Sequence, residues 1–178
     1  MSMIDVVDLE QRFRKAYDEH VRAVAAFALR RTPTAADAED IVSETFLVAW
    51  RRFGEAPADL RPWLFGVARH VLRHHYRATQ RRDALSDRLA GALARLGPEP
   101  SADAGWLAEA LPKLSETDRD VLTLTAWEGL SHAEAAQVLG CSATTVAVRL
   151  HRARGRLEAL RPTAAAATPR LEGATHEP

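Results

Sequence analysis

Cysteine is almost missing: Cys141 stands alone among 178 residues, which excludes an internal disulfide framework and a zinc knuckle built from cysteines. Long apolar runs are missing too. Nothing approaches the roughly 20 consecutive residues of a helical membrane span, so no membrane insertion is expected. The opening "MSMIDVVDLEQRFRK" is acidic and has no apolar core, and does not read as a secretory signal. Segments of useful length with strand periodicity are lacking, as are a nucleophile–base pair, a phosphate-binding glycine loop and a set of metal ligands. His70, His74 and His75 include an i, i+4 pair, but no carboxylate or cysteine joins them. These absences lead us to expect a cytoplasmic, non-enzymatic chain with no cofactor and no metal. Net charge is the last deficit, with 24 basic residues balanced by 24 acidic ones.

What is present is a segregation of that charge. Residues 1–82 carry 14 basic and 11 acidic groups, 83–110 carry two and five, and 111–160 carry six of each. Within these blocks the arginines gather again. Six arginines and three histidines stand between 60 and 82 without an acid, and four arginines stand between 135 and 157, also without one. Two basic faces are therefore built, each offset by acids elsewhere.

The apolar fraction of 47% permits a buried core, and its spacing is helical nearly throughout. Phe13, Tyr17, Val21, Val24 and Phe27 mark an amphipathic first helix. Pro33 ends that pattern, and Thr34 with Asp37 three residues on predicts an N-cap. A second helix over about 35–53 would bury Ile41, Val42, Phe46, Ala49 and Trp50. "FGEAPAD" reads as a loop, and Pro62 suits the first turn of a third helix reaching about Arg82. Residues 83–105 lose periodicity and end in Gly, Pro and Ser, as a linker does. A second helical module follows over 106–160, and 161–178 is too poor in large apolar residues to pack and is expected to be disordered. The expected fold is all-α: two small helical modules, 8–82 and 106–160, joined by a flexible linker.

The stretch "LSHAEAAQVLGCSATTVAVRLHRARGRL" carries the strongest local signal. Ser131 and Glu134 form a capping box that starts a helix at 132, and Gly140 has the freedom to stop it. Ser142 can cap a second helix whose Val146, Leu150, Ala153 and Leu157 form one apolar stripe. Thr144, Thr145, Ala147, Val148, Arg149 and Arg152 lie off that stripe. Two short helices around a glycine turn predict a helix-turn-helix, in which the start of the second helix enters the major groove. An ordinary helical hairpin with a solvated basic face is the alternative.

On the third helix Arg69, Arg73, Arg77 and Arg81 recur every four residues and share one face, a row that suits a phosphate backbone. Trp63, Phe65 and Tyr76 lie among them, as core residues or as stacking platforms for unpaired bases. Asp37, Glu39, Asp40 and Glu44 make an acidic patch on the second helix. The helix dipole accounts for acids near an N-terminus; a partner surface is the sharper reading.

The segments "DAEDIVSETFLVAWRRF", "RPWLFGVARHVLRHHYRATQRR" and "LPKLSETDRDVLTLTAWEGLSHAEAAQVLGCSATTVAVRLHRARGRL" resemble, in this order, the bacterial sigma factors of the extracytoplasmic-function group. The resemblance implies a protein that binds core RNA polymerase and directs it to promoter DNA, with room for an anti-sigma factor as a further partner. It implies that Asp37, Glu39, Asp40, Glu44, Phe46 and Trp50 meet the clamp helices of the polymerase β′ subunit. It implies a minus-ten site formed by Phe53, Gly54 and Glu55 in the loop with Arg61, Trp63, Arg69, His70, Arg73 and Arg77. It also implies that the second module sits on the β flap and reads the minus-thirty-five element through Ser142, Thr144, Thr145, Ala147, Val148, Arg149 and Arg152. Two departures bear on base choice. Ala147 and Val148 replace the common lysine–serine pair and can touch a thymine methyl but not hydrogen-bond a base edge, and His70 stands where asparagine is common. A stand-alone helix-turn-helix regulator is the rival reading, although residues 1–82 lack the strand–helix alternation of a receiver domain.

Overall fold

The computed structural model describes residues 3–82 and 104–162, and among these it contains seven α-helices and no strand. The first three are α1 (Met3–Leu29), α2 (Ala35–Arg52) and α3 (Leu60–Arg82), with a 3-10 turn over Phe53–Glu55 between α2 and α3. They are followed by α4 (Ala104–Ala110), a 3-10 turn over Leu111–Lys113, α5 (Glu116–Ala126), α6 (His132–Leu139) and α7 (Ala143–Ala159). Most of the linker expected over 83–105 and nearly all of the tail expected over 161–178 lie outside the described residues. At the edges α1 begins ahead of the expected residue 8, and α4 ahead of the expected residue 106.

Local chemistry sets the helix starts. Thr34 accepts from the Asp37 amide at 3.0 Å, and its hydroxyl donates back to the Asp37 carboxylate at 2.6 Å. This pins the entry to α2 where the chain leaves Pro33. Ser115 caps α5 through the Asp118 amide at 3.2 Å. Pro62 is buried in the first turn of α3, where its missing N–H leaves no bond unmade.

α1, α2 and α3 pack around Val24, Phe27, Ala28, Ile41, Phe46, Ala49, Leu64, Phe65, Ala68 and Val71, all nearly inaccessible. The Phe27 and Phe65 rings stack with centroids 5.1 Å apart. Burying a ring of this size contributes roughly 2–3 kcal/mol. Thr45 is buried among these residues and donates its hydroxyl to the Ile41 carbonyl at 2.6 Å, so no polar atom of that side chain is stranded. In the second module α5, α6 and α7 enclose Val121, Leu124, Leu130, Ala135, Val146, Leu150 and Ala153.

The two modules are not held apart. α6 lies directly on α3, close enough that a Cβ built on Gly66 would stand 3.9 Å from the Cα of Val138. The two apolar cores run together as one cluster through this contact.

Candidate nucleic-acid and polymerase interfaces

The helix-turn-helix forms as its local chemistry requires. Glu134 accepts from the Ser131 amide at 2.7 Å while the Ser131 hydroxyl accepts from the Glu134 amide at 3.2 Å. These bonds favour the ionised carboxylate and hold the Glu134 pKa below its ordinary value. α6 ends at Gly140, whose φ of 64° is the left-handed conformation that suits glycine. Ser142 then caps α7 through the Thr145 amide at 3.1 Å, and its hydroxyl also lies 2.8 Å from that of Thr145.

α7 buries Val146, Leu150 and Ala153 toward α5 and α6. Its outward ridge is Thr144, Val148, His151 and Arg152, all exposed, while Thr145, Ala147 and Arg149 sit half-buried on the flanks. His151 was not singled out from sequence, because the apolar stripe alone does not say which of the remaining positions stands farthest out. Arg156 is anchored instead, donating to the buried carboxylate of Asp118 at 2.6 Å.

The α3 arginines occupy one face, and that face meets the second module. Arg69 donates through Nε to Asp120 at 2.7 Å, and Arg73 pairs with Glu116 at 3.1 Å. Arg61 donates to the backbone carbonyl of Glu128, and Arg30 and Arg31 at the end of α1 both pair with its carboxylate. Arg31 also donates to the Thr123 hydroxyl at 2.7 Å and lies 3.7 Å above the Phe27 ring centroid. Burial lowers the Arg31 pKa from its ordinary value, and Glu128 opposes that shift. Arg77 and His70 are exposed, with the His70 and His74 rings 4.6 Å apart. The Arg81 side chain lies outside the described ones. Trp63 is half-buried against the core. Tyr76 is also partly buried, and burial raises its hydroxyl pKa above the ordinary value.

On α2, Glu39, Asp40 and Glu44 are exposed and share the outer surface with Leu47 and Trp50, which are 50% and 38% exposed. Leu47 was missed from sequence, since helical spacing marks what faces inward and leaves outward apolar residues unassigned. Asp37 serves the Thr34 cap and lies 3.6 Å from His75. Phe46 is buried. Trp50 and Phe53 both stand edge-on to Phe13, at 5.0 and 5.1 Å. Phe53 is therefore the buried root of the loop, and Gly54 and Glu55 are its exposed part. A shallow apolar groove lined by Glu10, Phe13, Arg14, Tyr17 and Trp50 runs between α1 and α2. Among the described residues no helix is long and apolar enough to cross a membrane, and no three His, Cys, Asp or Glu side chains converge as a metal site would require.

A three-helix unit with an acidic outer helix, followed by a helix-turn-helix module, is the arrangement of a two-part sigma factor. Residues 16–82 match the family described as Sigma-70 region 2, and residues 104–157 match Sigma-70, region 4. The chain is 37% identical over 150 residues to the ECF RNA polymerase sigma factor SigL of Mycobacterium tuberculosis, covering 78% of this chain and 82% of that one. It is 34% identical over 154 residues to the RNA polymerase sigma factor CnrH of Cupriavidus metallidurans, covering 78% of each. Among solved structures it is similar to the sigma factor RpoE in complex with the anti-sigma factor NepR from Bartonella quintana. That match has a TM-score of 0.67 and 28% identity, and covers 84% of this chain and 96% of the other. It is also similar to CnrH in complex with the cytosolic domain of CnrY, with a TM-score of 0.62 and 30% identity over 85% and 88% of the two chains. The chain belongs to the extracytoplasmic-function sigma factors of the sigma-70 family. It is an RNA polymerase sigma factor, whose partners are core polymerase and promoter DNA. Sigma factors are in general regulators rather than enzymes.

Proposed function

We propose that the two modules divide initiation between them, acting in the cytoplasm and without catalysis of their own. In this reading residues 8–82 bind core polymerase and the minus-ten element, 83–105 act as spacer, and 106–160 read the minus-thirty-five element. The clamp helices of β′ meet Glu39, Asp40, Glu44 and Trp50, with Asp37 fixing the start of that helix and Phe46 seating it in the core. The minus-ten strand meets Gly54, Glu55, Arg61, Trp63, Arg69, His70, Arg73 and Arg77, on a loop rooted by Phe53. The minus-thirty-five duplex meets Thr144, Thr145, Ala147, Val148, Arg149 and Arg152 on a helix started by Ser142, while the body of that module sits on the β flap. An anti-sigma factor is a further proposed partner, suggested by the complex in which the similar RpoE is held.

The observation that carries this reading is α7. A Ser-capped helix with one buried stripe and an opposite ridge of Thr144, Val148 and Arg152 has the form that a major groove admits. Pull-down with core polymerase followed by run-off transcription tests it. Asp40→Lys with Glu44→Lys should weaken core binding in a fluorescence titration while the helical circular-dichroism signal stays intact. Unchanged affinity would remove this part of α2 from the polymerase surface.

A further inference from the structure

The large apolar side chains that stand in water among the described residues are Val7, Tyr17, Leu47, Trp50, Val148 and Leu160. Four of these belong to α1 and α2, and Leu160 is the C-cap of α7. Val148 differs in its place. It lies in the second turn of α7, 45% exposed, opposite the buried stripe of Val146, Leu150 and Ala153. Thr144 stands one helical turn before it and Arg152 one turn after, both exposed. α7 packs on α5 and α6 through the buried stripe, so packing within the fold does not account for an apolar group at 148. A β-branched residue is also a poorer helix former than alanine or lysine, and an exposed position gives it nothing in return.

We propose that Val148 is a specificity-determining residue, which selects thymine at one position of the minus-thirty-five element by seating against its C5-methyl group. The inference rests on reading α7 as the helix that enters that duplex. In the major groove every base edge offers donors or acceptors, and only thymine adds an apolar group. Valine pressed on the amino group of adenine or cytosine, or on guanine O6, strips water from a polar atom and returns no hydrogen bond. Against thymine the same contact takes apolar surface out of water on both sides. A helix holds valine in essentially one χ1 rotamer, so its methyl groups are already placed when the duplex arrives. A lysine there would have rotamers to lose. Arg149, Arg152 and Arg154 follow within two turns, and no acid stands between residues 135 and 157. Cations for the phosphates are therefore supplied by neighbours, which leaves position 148 free to read a base.

The test uses holoenzyme formed from the full chain and, as probe, a promoter duplex obtained by mapping transcript ends after overexpression. Each thymine of its minus-thirty-five element, on either strand, is replaced in turn by deoxyuridine, which deletes the methyl and keeps every hydrogen-bonding atom. With the wild type, affinity read by fluorescence anisotropy should fall about fourfold at one position, the contribution of one buried methyl. Val148→Ala, which favours the helix, should bind thymine and deoxyuridine equally at that position. The methyl also affects stacking within the duplex, and comparing the two proteins cancels that contribution. Placing 5-methylcytosine opposite guanine at the same site should recover part of the affinity that cytosine loses, with the wild type only. A wild type indifferent to deoxyuridine throughout, an element without thymine, or a penalty that persists in Val148→Ala overturns the proposal and leaves α7 as the reading helix. Scrambling the whole element without loss of affinity instead defeats the reading of α7 itself, and the proposal falls with it.

Discussion

Glu128 has no neighbour in sequence that announces its role. It follows Trp127 and precedes Gly129, whose φ is 65°, and so reads as an ordinary turn residue. In the fold it is 4% exposed and accepts from two arginines nearly a hundred positions away. A carboxylate at that depth is costly to leave without partners, and the Arg30 and Arg31 side chains that meet it are themselves largely removed from water. Glu128→Ala should therefore cost about 3 kcal/mol, read as a lowered midpoint in denaturant unfolding, because it leaves Arg30 and Arg31 unpaired. A midpoint unchanged from wild type would mean that the pair is hydrated in solution. The same distance in sequence explains why the network was not legible: arginine spacing shows which side chains share a face, not which acid comes to meet them. Residues of α7 were legible because the cap, the turn and the apolar stripe that place them are local in sequence. There Arg149→Ala should cost about 1–3 kcal/mol and relax preference at one promoter position if Arg149 reads guanine bidentately. Arg152→Ala, on the outermost ridge, should weaken binding evenly across sequences, as loss of a phosphate contact does. Binding selections on a randomised minus-thirty-five element separate the two outcomes.

At the scale of elements, α2, α3, α6 and α7 could be read in advance because their starts and stops are written in neighbouring residues. Thr34 and Asp37, Pro62, Ser131 and Glu134, Gly140 and Ser142 each act within four positions, and all do what their chemistry predicts. α4 and α5 were harder. Their division at Leu111–Lys113 has local markers in Pro112 and the Ser115 cap that the sequence reading did not use, and Leu111 and Leu114 enter the shared core there. The α6 capping box carries a pH dependence. Because Ser131 holds the Glu134 pKa below its unfolded value, the stabilisation is fully present above the ordinary glutamate range. It is lost as pH falls through the lowered folded value. Ser131→Ala should cost about 1 kcal/mol near neutral pH and return the Glu134 titration, followed by NMR, toward the ordinary glutamate value. A titration that does not move would show that the box is frayed in solution.

For the whole molecule, helical modules and a helix-turn-helix were visible in the sequence, whereas their mutual packing was not. Equal numbers of acids and bases are compatible with two independent bodies or with two bodies that neutralise each other, and only the pairing of Arg69 with Asp120 and of Arg30 and Arg31 with Glu128 distinguishes them. The distinction has a measurable consequence for promoter binding. A free chain that is electrically neutral has little long-range attraction for DNA to draw on, and on the proposed reading each of its two DNA contacts is weak alone. If core polymerase presents both modules to one duplex, the second contact becomes intramolecular, and affinity for a promoter duplex should rise by about 100-fold or more on holoenzyme assembly. The duplex can be obtained by mapping transcript ends after overexpression and aligning the upstream sequences. Fluorescence anisotropy at physiological salt, with and without core polymerase, gives the comparison. Tight, sequence-specific binding by the free chain under those conditions would instead place this protein among stand-alone regulators in how it finds DNA, with α7 sufficient by itself and the α3 row left for another partner.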